Sequence, residues 1–398
     1  KQINDPTNLG NSLFAFGLNY TNPSCDGTPL YNGNISQTHW RTANTDNSLK
    51  SYTYEYDALN RIKSGIDNTG KYNLASISYD KNGNILHLNR TGHLDASAST
   101  FGDMDKLSYR YDSGNKLLAV TDAGIEQGFK DGNKNGDDYA YDDNGNMTLD
   151  KNKKITNIAY NYLNLPTKIS FAFTDNLDSL SEGSIDFVYD AAGIKLAKRV
   201  SQKGLQKTYD DKNTSYAGNF IYQNDTLQFF SHAEGYIEPD GGSFTYIYQY
   251  KDIWKNVRVA YSDSTRDGTI TQDEIKEENN YYPFGLKHKG YNELVKGREH
   301  EFGFSGIELQ DDLGLDWSSM PFRQYDATIV RWTSIDPLAD DFTTYSPFAY
   351  SYNSPILFND PTGLAPDRSF ASVTEMINFY YNNRRNIMKH LFIDASLK

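Results

Sequence analysis

Two carboxylates near the end of the chain stand in similar surroundings. Asp336 opens the stretch DPLA, and Asp360 opens the stretch DPTG. The aromatic run at 340–359 between them predicts a strand-like return that brings the two ends together. Two carboxylates in one confined pocket cannot both ionise easily, so they would share a proton and act as base and acid on a water molecule.

The nearest substrate for such a pair is the chain itself. Gly363 gives the backbone the freedom to present the bond between Leu364 and Ala365, and tethering replaces substrate binding with a high effective concentration. The sequence therefore predicts self-cleavage after Leu364. The alternative is that both Asp-Pro dipeptides only start turns, which is the commonest role of such pairs.

A second candidate for chemistry is the loop DSTRDGTITQDE at 263–274. Its spacing matches an EF-hand-type calcium loop, in which Gly268 allows the sharp turn. The predicted Ca²⁺ ligands are Asp263, Thr265, Asp267, Thr269 through its carbonyl group, and Glu274. An ordinary polar hairpin loop is the alternative.

The stretch DGNKNGDDYAYD at 131–142 has a similar but weaker pattern. Its eighth position, where an EF-hand carries an apolar residue, is the charged Asp138. A solvated turn is therefore the favoured interpretation, and calcium binding the weaker one. The ligands in this second loop would be Asp131, Asn133, Asn135, Asp137 and Asp142.

The elements that position these residues are predicted from a repeated pattern of alternating aromatics, Tyr-Asp, a short Gly/Asn turn and alternating apolar residues. Each unit is predicted to form a β-hairpin, because the Asp side chain can accept hydrogen bonds from the backbone of the turn that it opens. A single hairpin cannot bury its aromatic face, so the units are expected to form one long curled β-ribbon. The Tyr-Asp pairs begin at Tyr56, Tyr79, Tyr111, Tyr141 and Tyr189.

Composition supports an all-β class. The 398 residues include 31 Tyr and 30 Gly, and aromatic residues make up 14%. A formal net charge of -13 disfavours nucleic-acid binding. Cys25 is the single cysteine, which excludes a disulfide framework within the chain, and no apolar run reaches membrane-spanning length. Near the end, apolar residues at helical spacing predict a short helical tail that begins near Ser372.

The Tyr-Asp units resemble the YD repeats of the RHS family, whose ribbons wind into hollow shells. The stretches YYPFGL (281–286), FGFSGIELQDDLGLDWSSMPFRQYDATIVRWTSIDP (302–337) and NDPTGL (359–364) are similar to the RHS repeat-associated core. The resemblance implies that Asp336 and Asp360 cut the chain after Leu364, with Arg331 in a supporting role. The cut would free a C-terminal toxin inside the shell.

The resemblance and the patterns together predict five segments. These are a β-like segment at 1–50, the YD-repeat ribbon at 51–262, the calcium loop at 263–280, the core module at 281–364 and the tail at 365–398. We expect a piece of a longer, secreted or cell-surface protein. Its expected partners are its own C-terminal effector, the rest of the ribbon and a delivery component. Two alternatives stay open: a surface adhesin that binds glycans through exposed aromatics, and a structural remnant with an inactive cutting site.

Overall fold

The structure is a computed structural model that describes residues 2–24, 27–174, 180–203, 211–292, 296, 298–341, 343–364 and 366. These residues form strands, turns and short 3₁₀ segments, and none of them is α-helical. The all-β class predicted from the sequence is confirmed. The predicted C-terminal helix falls on residues outside the described part. Within that part, no helix has the length and apolar character that a membrane span requires.

The first sheet has nine antiparallel strands, and each strand pairs with its neighbour in the sequence. Strands that pair in sequence order are what a series of hairpins produces. The segment at 1–50 supplies the first three strands, so it continues the ribbon. The strands are β1 (Gln2–Ile3), β2 (Phe14–Asn19), β3 (Gln37–Thr42), β4 (Lys50–Tyr56), β5 (Ile62–Asp67), β6 (Leu74–Tyr79), β7 (Ile85–His93), β8 (Phe101–Tyr111) and β9 (Leu117–Asp122).

The second sheet has thirteen antiparallel strands, also in sequence order. Asp138 joins it to the first sheet, because its backbone N–H donates to Leu118 O (2.7 Å) and its carboxylate accepts from Val120 N (2.8 Å). The strands are β10 (Tyr139–Tyr141), β11 (Met147–Asp150), β12 (Ile155–Tyr160), β13 (Pro166–Thr174), β14 (Leu180–Tyr189), β15 (Lys195–Lys203), β16 (Lys212–Ala217), β17 (Phe220–Gln223), β18 (Thr226–His232), β19 (Gly235–Asp240), β20 (Ser243–Lys251), β21 (Val257–Tyr261) and β22 (Ile275–Glu278).

The core module forms a small four-stranded antiparallel sheet, connected by turns and 3₁₀ segments. Its strands are β23 (Leu309–Gln310), β24 (Trp317–Ser319), β25 (Gln324–Asp326) and β26 (Arg331–Trp332). The 3₁₀ segments of the described residues are Gln272–Glu274, Phe304–Gly306, Asp312–Gly314, Ala339–Asp341 and Tyr350–Asn353.

The Tyr-Asp hairpins share one turn geometry. In each, the Asp backbone N–H donates to the carbonyl four residues later at 2.9–3.0 Å. The Asp Oδ1 atom accepts from the N–H of that same later residue at 2.8–3.0 Å. The prediction that these carboxylates bond the turns they open is confirmed. The turns begin at Asp57, Asp80, Asp112, Asp142 and Asp190.

The tyrosines of the pairs lie half-buried against the main core. Several also connect one hairpin to the preceding one, since the Tyr hydroxyl donates to a backbone carbonyl there. Each such bond satisfies a polar atom that packing has removed from water. The bonds are Tyr56 Oη to Ile35 O, Tyr79 Oη to Ile62 O and Tyr111 Oη to Ile85 O, each 2.8 Å.

The ribbon curls until its first strands contact its last ones through side chains. The rings of Phe14 and Tyr250 lie 5.9 Å apart, and those of Phe16 and Trp254 lie 5.6 Å apart, edge to face. Burial of these aromatic faces stabilises the curl, because each ring removes a large apolar area from water.

The core module packs inside this curl. Trp317, Tyr325 and Trp332 are fully buried in the same core cluster that lines both long sheets. Polar bonds fix the contact on the ribbon side. Arg90 Nη2 donates to Thr328 O (2.7 Å), and Tyr109 Oη donates to Ile329 O (3.2 Å). The module therefore packs on the ribbon as part of the same hydrophobic core and is not a separate domain.

Candidate functional site

Asp360 organises the last described turn of the core module. Its Oδ1 atom accepts from the backbone N–H groups of Gly363 (2.8 Å) and Leu364 (3.0 Å). Gly363 has a φ of +80°, in the left-handed region that favours glycine. The turn therefore brings the carbonyl of Leu364 back towards the carboxylate that opened it.

The described residues of 340–359 form turns and 3₁₀ segments, so the strand-like return predicted from the sequence is corrected. Pro347 and Pro355 in this run lack the N–H that a strand ladder requires. Asp336 lies just before the run. Its backbone N–H donates to Pro347 O (3.0 Å), and a bridge pairs Arg331 with Ala349. Its Oδ1 atom accepts from Leu338 N (2.9 Å), so the other carboxylate oxygen is free to face the module interior. The aromatic run thus does reverse the chain between the two Asp-Pro dipeptides.

One arginine joins the two carboxylates. Arg323 Nη2 lies 2.7 Å from Asp336 Oδ2 and 3.2 Å from Asp360 Oδ2. The same nitrogen donates to Leu364 O (3.2 Å). Both carboxylates and the carbonyl of the bond predicted to be cut therefore meet at a single guanidinium nitrogen.

The rest of the Arg323 side chain is held just as firmly. Its Nε atom donates to Gly363 O (2.6 Å), and Nη1 donates to Pro347 O (3.1 Å). Its guanidinium lies over the Trp332 ring, 4.1 Å from the ring centre. A planar group whose three nitrogens all donate and which has a ring on one face is preorganised, so little further ordering is needed at the moment of reaction.

Burial sets the charge of the pair. Asp360 is fully buried, and 14% of the Asp336 side chain is exposed. Burial raises the pKa of Asp336 to about 6, against the lowering effect of Arg323. Burial also raises the pKa of Asp360. Two buried acids that share one arginine nitrogen interact and titrate as a unit, so the pair holds a proton at a higher pH than free aspartates would.

Arg331, which the resemblance assigned to the pair, lies elsewhere. Its guanidinium stacks on the rings of Tyr111 (5.1 Å) and Phe348 (4.5 Å) and donates to Asn115 O. It therefore fastens the module to the ribbon, and the arginine that the structure places beside the aspartates is Arg323. The physical reason is strand alternation: Arg323 lies just before β25 and points inward, whereas Arg331 opens β26 and points to the repeats.

Arg323 lies in the stretch FRQYD, and its role was not predicted from the sequence. No local spacing connects it to Asp336 or Asp360, because the contacts are made across strands and turns. Its one sequence signal is that it is an arginine flanked by the apolar and aromatic residues of a buried sheet, where a charge requires a partner.

The structure describes only the Leu364 side of the bond that is predicted to be cut. Leu364 is fully buried. Ala365 lies outside the described residues.

The predicted calcium loop has its carboxylates bonded within the loop. Glu274 Oε1 accepts from Thr265 N (3.0 Å), and its Oε2 accepts from Thr271 N (3.0 Å). Asp263 Oδ2 accepts from Gly268 N (3.0 Å), and Asp267 Oδ1 accepts from Thr269 N (2.8 Å). In this arrangement the acids face backbone donors, so they do not form a ready-made ligand set. Calcium binding stays a prediction.

The weaker loop has a different organisation. Asp142 bonds its own hairpin turn, and Asp137 pairs with Arg110 (2.6 Å). Asn133 Nδ2 donates to Asp138 Oδ1 (2.7 Å) and to Asn135 O (2.9 Å). Asp131 Oδ2 lies 3.4 Å from Lys134 Nζ.

Across the part of the chain that the structure describes, no three His, Cys, Asp or Glu side chains converge as a metal site.

The sequence matches no family model. It matches no curated protein either. Solved structures do match its fold. One is the crystal structure of TcdB2-TccC3, at a TM-score of 0.55 and 15% identity over 88% of this chain. Another is the Tc holotoxin pore of Photorhabdus luminescens with a mutated TccC3, at a TM-score of 0.53 and 14% identity over 90% of this chain.

A third is TcdB2-TccC3 without the hypervariable C-terminal region, at a TM-score of 0.53 and 14% identity over 88% of this chain. The chain shares the fold of these Tc toxin chains. It spans 18–19% of their length. At this level of identity the likeness establishes the fold, a curled antiparallel ribbon, and the chemistry has to be argued from the side chains of this chain.

Proposed function

We propose that this chain is part of an RHS-type β-shell that encloses a C-terminal effector and cuts itself after Leu364. One observation carries the proposal. Arg323 Nη2 contacts Asp336, Asp360 and the carbonyl oxygen of Leu364, at 2.7, 3.2 and 3.2 Å. An acid pair and a cationic donor gathered on one buried carbonyl are the groups that peptide hydrolysis requires.

The reaction is hydrolysis of the amide between Leu364 and Ala365. A water molecule attacks the Leu364 carbonyl carbon while the ionised carboxylate of the pair takes its proton. Arg323 Nη2 stabilises the negative charge that develops on Leu364 O. The proton held by the other carboxyl goes to the departing nitrogen, and the C–N bond breaks. The products are a carboxylate at Leu364 and a new N-terminus at Ala365, with no other co-reactant.

The exposure of the two aspartates suggests their roles. Asp336 retains contact with solvent, so it is the member that a water molecule reaches and the candidate base. Asp360 is fully buried and bonds the turn that carries Leu364, which suits a group that holds the scissile segment and shares the proton. The new Leu364 carboxylate would remain paired with Arg323 after the cut.

The shell part of the proposal rests on the curl. The core module shares one hydrophobic core with both sheets of the curled ribbon, and Leu364 is fully buried at the end of the module. An effector that continues from this point would be released inside the curl. The chain spans under a fifth of the Tc toxin chains, so the remaining ribbon and a delivery component are proposed partners. Secretion or surface delivery belongs to the same proposal.

The decisive experiment is denaturing mass spectrometry of the purified chain. We expect two fragments that separate after Leu364, at an extent independent of protein concentration because the reaction is intramolecular. Asp336→Asn and Asp360→Asn are each expected to give a single intact chain. A wild-type chain that stays intact from pH 4 to pH 8 would leave the structural-remnant alternative standing.

A glycan-binding adhesin is kept as a second candidate because of the exposed aromatics on β20. Phe244 and Tyr246 are 52% and 53% exposed, and Phe220 on β17 is 41% exposed. Rings on a flat sheet can stack on sugar faces. A glycan array with wild type and Tyr246→Ala separates the two, because the shell proposal expects no array signal that depends on Tyr246.

A further inference from the structure

Two turns of the ribbon carry an asparagine in the same position and bond it in the same way. Asn84 closes the turn that Asp80 opens, and Asn256 closes the turn that Asp252 opens. In both, the asparagine Nδ2 donates to the Asp Oδ2, at 2.9 and 3.0 Å. Because Nδ2 is used within the ribbon, the Oδ1 atom of each asparagine is turned towards the core module.

The Asn84 turn holds the segment that positions Asp336. Asn84 Oδ1 accepts from the Ser346 hydroxyl (2.7 Å), a bond between buried groups. The next residue, Pro347, supplies the carbonyl that accepts both from Asp336 N (3.0 Å) and from Arg323 Nη1 (3.1 Å). A second bond, from Asn353 Nδ2 to the Gly83 carbonyl of the same turn (2.8 Å), fixes the far side of the segment.

The Asn256 turn holds the segment that positions Asp360. Asn256 Oδ1 accepts from Ser305 N (2.7 Å), and the Ser305 hydroxyl donates to Asn359 Oδ1 (3.0 Å). Asn359 Nδ2 donates back to the Trp254 carbonyl of the turn (2.9 Å). Asn359 directly precedes Asp360, so its position sets that of the carboxylate.

We propose that Asn84 and Asn256 are positioning residues for the cut: each ribbon turn is a socket that sets the place of one catalytic aspartate. The inference rests on the proposed function and adds regulation to it. Asn84 lies between β6 and β7 of the first sheet, and Asn256 lies between β20 and β21 of the second. The two sockets come from different sheets and both contact the module, so the site is complete only when both sheets pack on the module.

The effect on rate follows from geometry. Loss of one socket bond leaves the carboxylates present but lets the Pro347 segment shift relative to Arg323. A displacement of about 1 Å at a reacting group reduces rate by roughly 100-fold, and a partial shift by less. We therefore expect self-cleavage to slow by roughly 10-fold or more in a folded protein.

The chain contains a matched control. Asn146 closes a third turn with the same bonds, Asn146 Nδ2 donating to Asp142 Oδ2 (2.9 Å) and to Asn164 Oδ1 (2.9 Å). Asn84 makes the equivalent bonds to Asp80 (2.9 Å) and Asn115 (2.8 Å), and in addition accepts from Ser346. Asn84→Ala and Asn146→Ala therefore lose the same ribbon bonds, and Asn84→Ala alone loses the bond to Ser346.

The experiment compares the first-order cleavage rates of the purified full chain. Asn84→Ala and Ser346→Ala should be slowed together. Asn146→Ala should be slowed less, because its turn is held to the module by the backbone bond from Met147 N to Thr333 O (2.9 Å). Ser346→Thr should cut faster than Ser346→Ala, because it restores the hydroxyl. Circular dichroism confirms that each variant is folded. Equal rates for Asn84→Ala and Asn146→Ala overturn the inference and leave the proposed function intact.

A second measurement decides the inference even if the wild type does not cut. The carboxyl ¹³C signal of Asp336 is titrated in the wild type and in Ser346→Ala. Loosening the Pro347 segment admits water, so the raised pKa of Asp336 should fall towards 3.8. Identical titrations would show that the socket does not position Asp336, whereas an intact wild type with shifted titrations would count only against the cutting reaction.

Discussion

The Nη2 atom of Arg323 lies 2.7 Å from Asp336 Oδ2, and the same atom donates to the carbonyl oxygen of Leu364 at 3.2 Å. A carboxylate is thereby held beside the carbonyl carbon that it would help water to attack. In the proposed reaction Arg323 would have two roles: it would offset the repulsion between two buried acids and polarise the Leu364 carbonyl.

Replacement of Arg323 by lysine should abolish most self-cleavage. A lysine carries one compact charge and cannot contact both carboxylates and three carbonyl groups at once. Loss of a donor to a developing oxyanion slows peptide hydrolysis by roughly 100- to 1000-fold. Arg331→Lys is the matched control and should change the rate only a few-fold. A time course by denaturing mass spectrometry that slows both variants equally would restore Arg331 to the site.

The cleavage rate should fall on the acid side of about pH 6. The base has to be ionised, and burial raises the pKa of Asp336 to about 6. Below that pH the rate should drop about tenfold per pH unit, because the ionised fraction falls by that factor. The measurement is a set of single-turnover rates in buffers from pH 4 to pH 8. A rate that keeps rising down to pH 4 contradicts the role of Asp336 as base.

Gly363→Ala should lower the cleavage rate by more than the cost of placing an alanine in the left-handed region would alone. A Cβ atom at this position would lie 3.0 Å from the Arg323 backbone nitrogen, at a φ of +80°. Gly136 has a similar φ of +77° and open space around it. Gly136→Ala therefore has the left-handed backbone cost, about 1 kcal/mol, without the clash. Melting temperature and cleavage rate should both fall further for Gly363→Ala, and equal losses would contradict a tight contact with Arg323.

Stability should depend on pH through Asp150, which is fully buried at the end of β11. Burial raises its pKa to about 7 from 3.8. The folded state therefore binds the Asp150 proton more strongly than the unfolded state does. The stabilisation of the fold by this proton is complete below about pH 4 and is lost as the pH rises to 7. Asp150→Asn should stabilise the protein at pH 8, by about 1.4 kcal/mol for each unit of pKa difference, and much less at pH 4.

Urea unfolding at the two pH values measures this difference. The exposed Asp103, with 64% of its side chain accessible, supplies the control substitution Asp103→Asn. That variant should shift the unfolding midpoint equally at both pH values. The Asp150 prediction is wrong if its variant also behaves in this way.

For calcium to bind at 263–274, the carboxylates of the loop have to leave their hydrogen bonds to backbone N–H groups and coordinate the cation instead. If they do so, the melting temperature should rise with added Ca²⁺ and fall in chelator, by mass action on the folded state. Glu274→Gln should remove the response, because the bidentate glutamate supplies two of the ligand oxygens. Glu299→Gln, at a glutamate with 72% of its side chain exposed, is the control. A melt that is unchanged in chelator identifies the loop as a polar turn.

The repeated turns were predictable from the sequence because their bonds are local. The Asp80 carboxylate reaches the N–H of Asn84, four residues away, whatever the remainder of the chain does. Alternation and Tyr-Asp spacing therefore determined the hairpins, their order and the all-β class. The sequence also predicted that Asp336 and Asp360 lie near each other, since a turn-opening acid before proline and a following Gly363 are local features.

The partner of those acids was decided by tertiary structure. Arg323 and Arg331 are both arginines close to Asp336 in sequence, and no spacing rule separates them. Curling of the ribbon directs Arg331 onto Tyr111 and Phe348, and the module sheet encloses Arg323 with two carboxylates. The pKa values were likewise undetermined by sequence, because burial raises them and burial exists only once distant strands have packed. Contacts between groups far apart in the chain depend on the whole fold, whereas a turn depends on a handful of neighbouring residues.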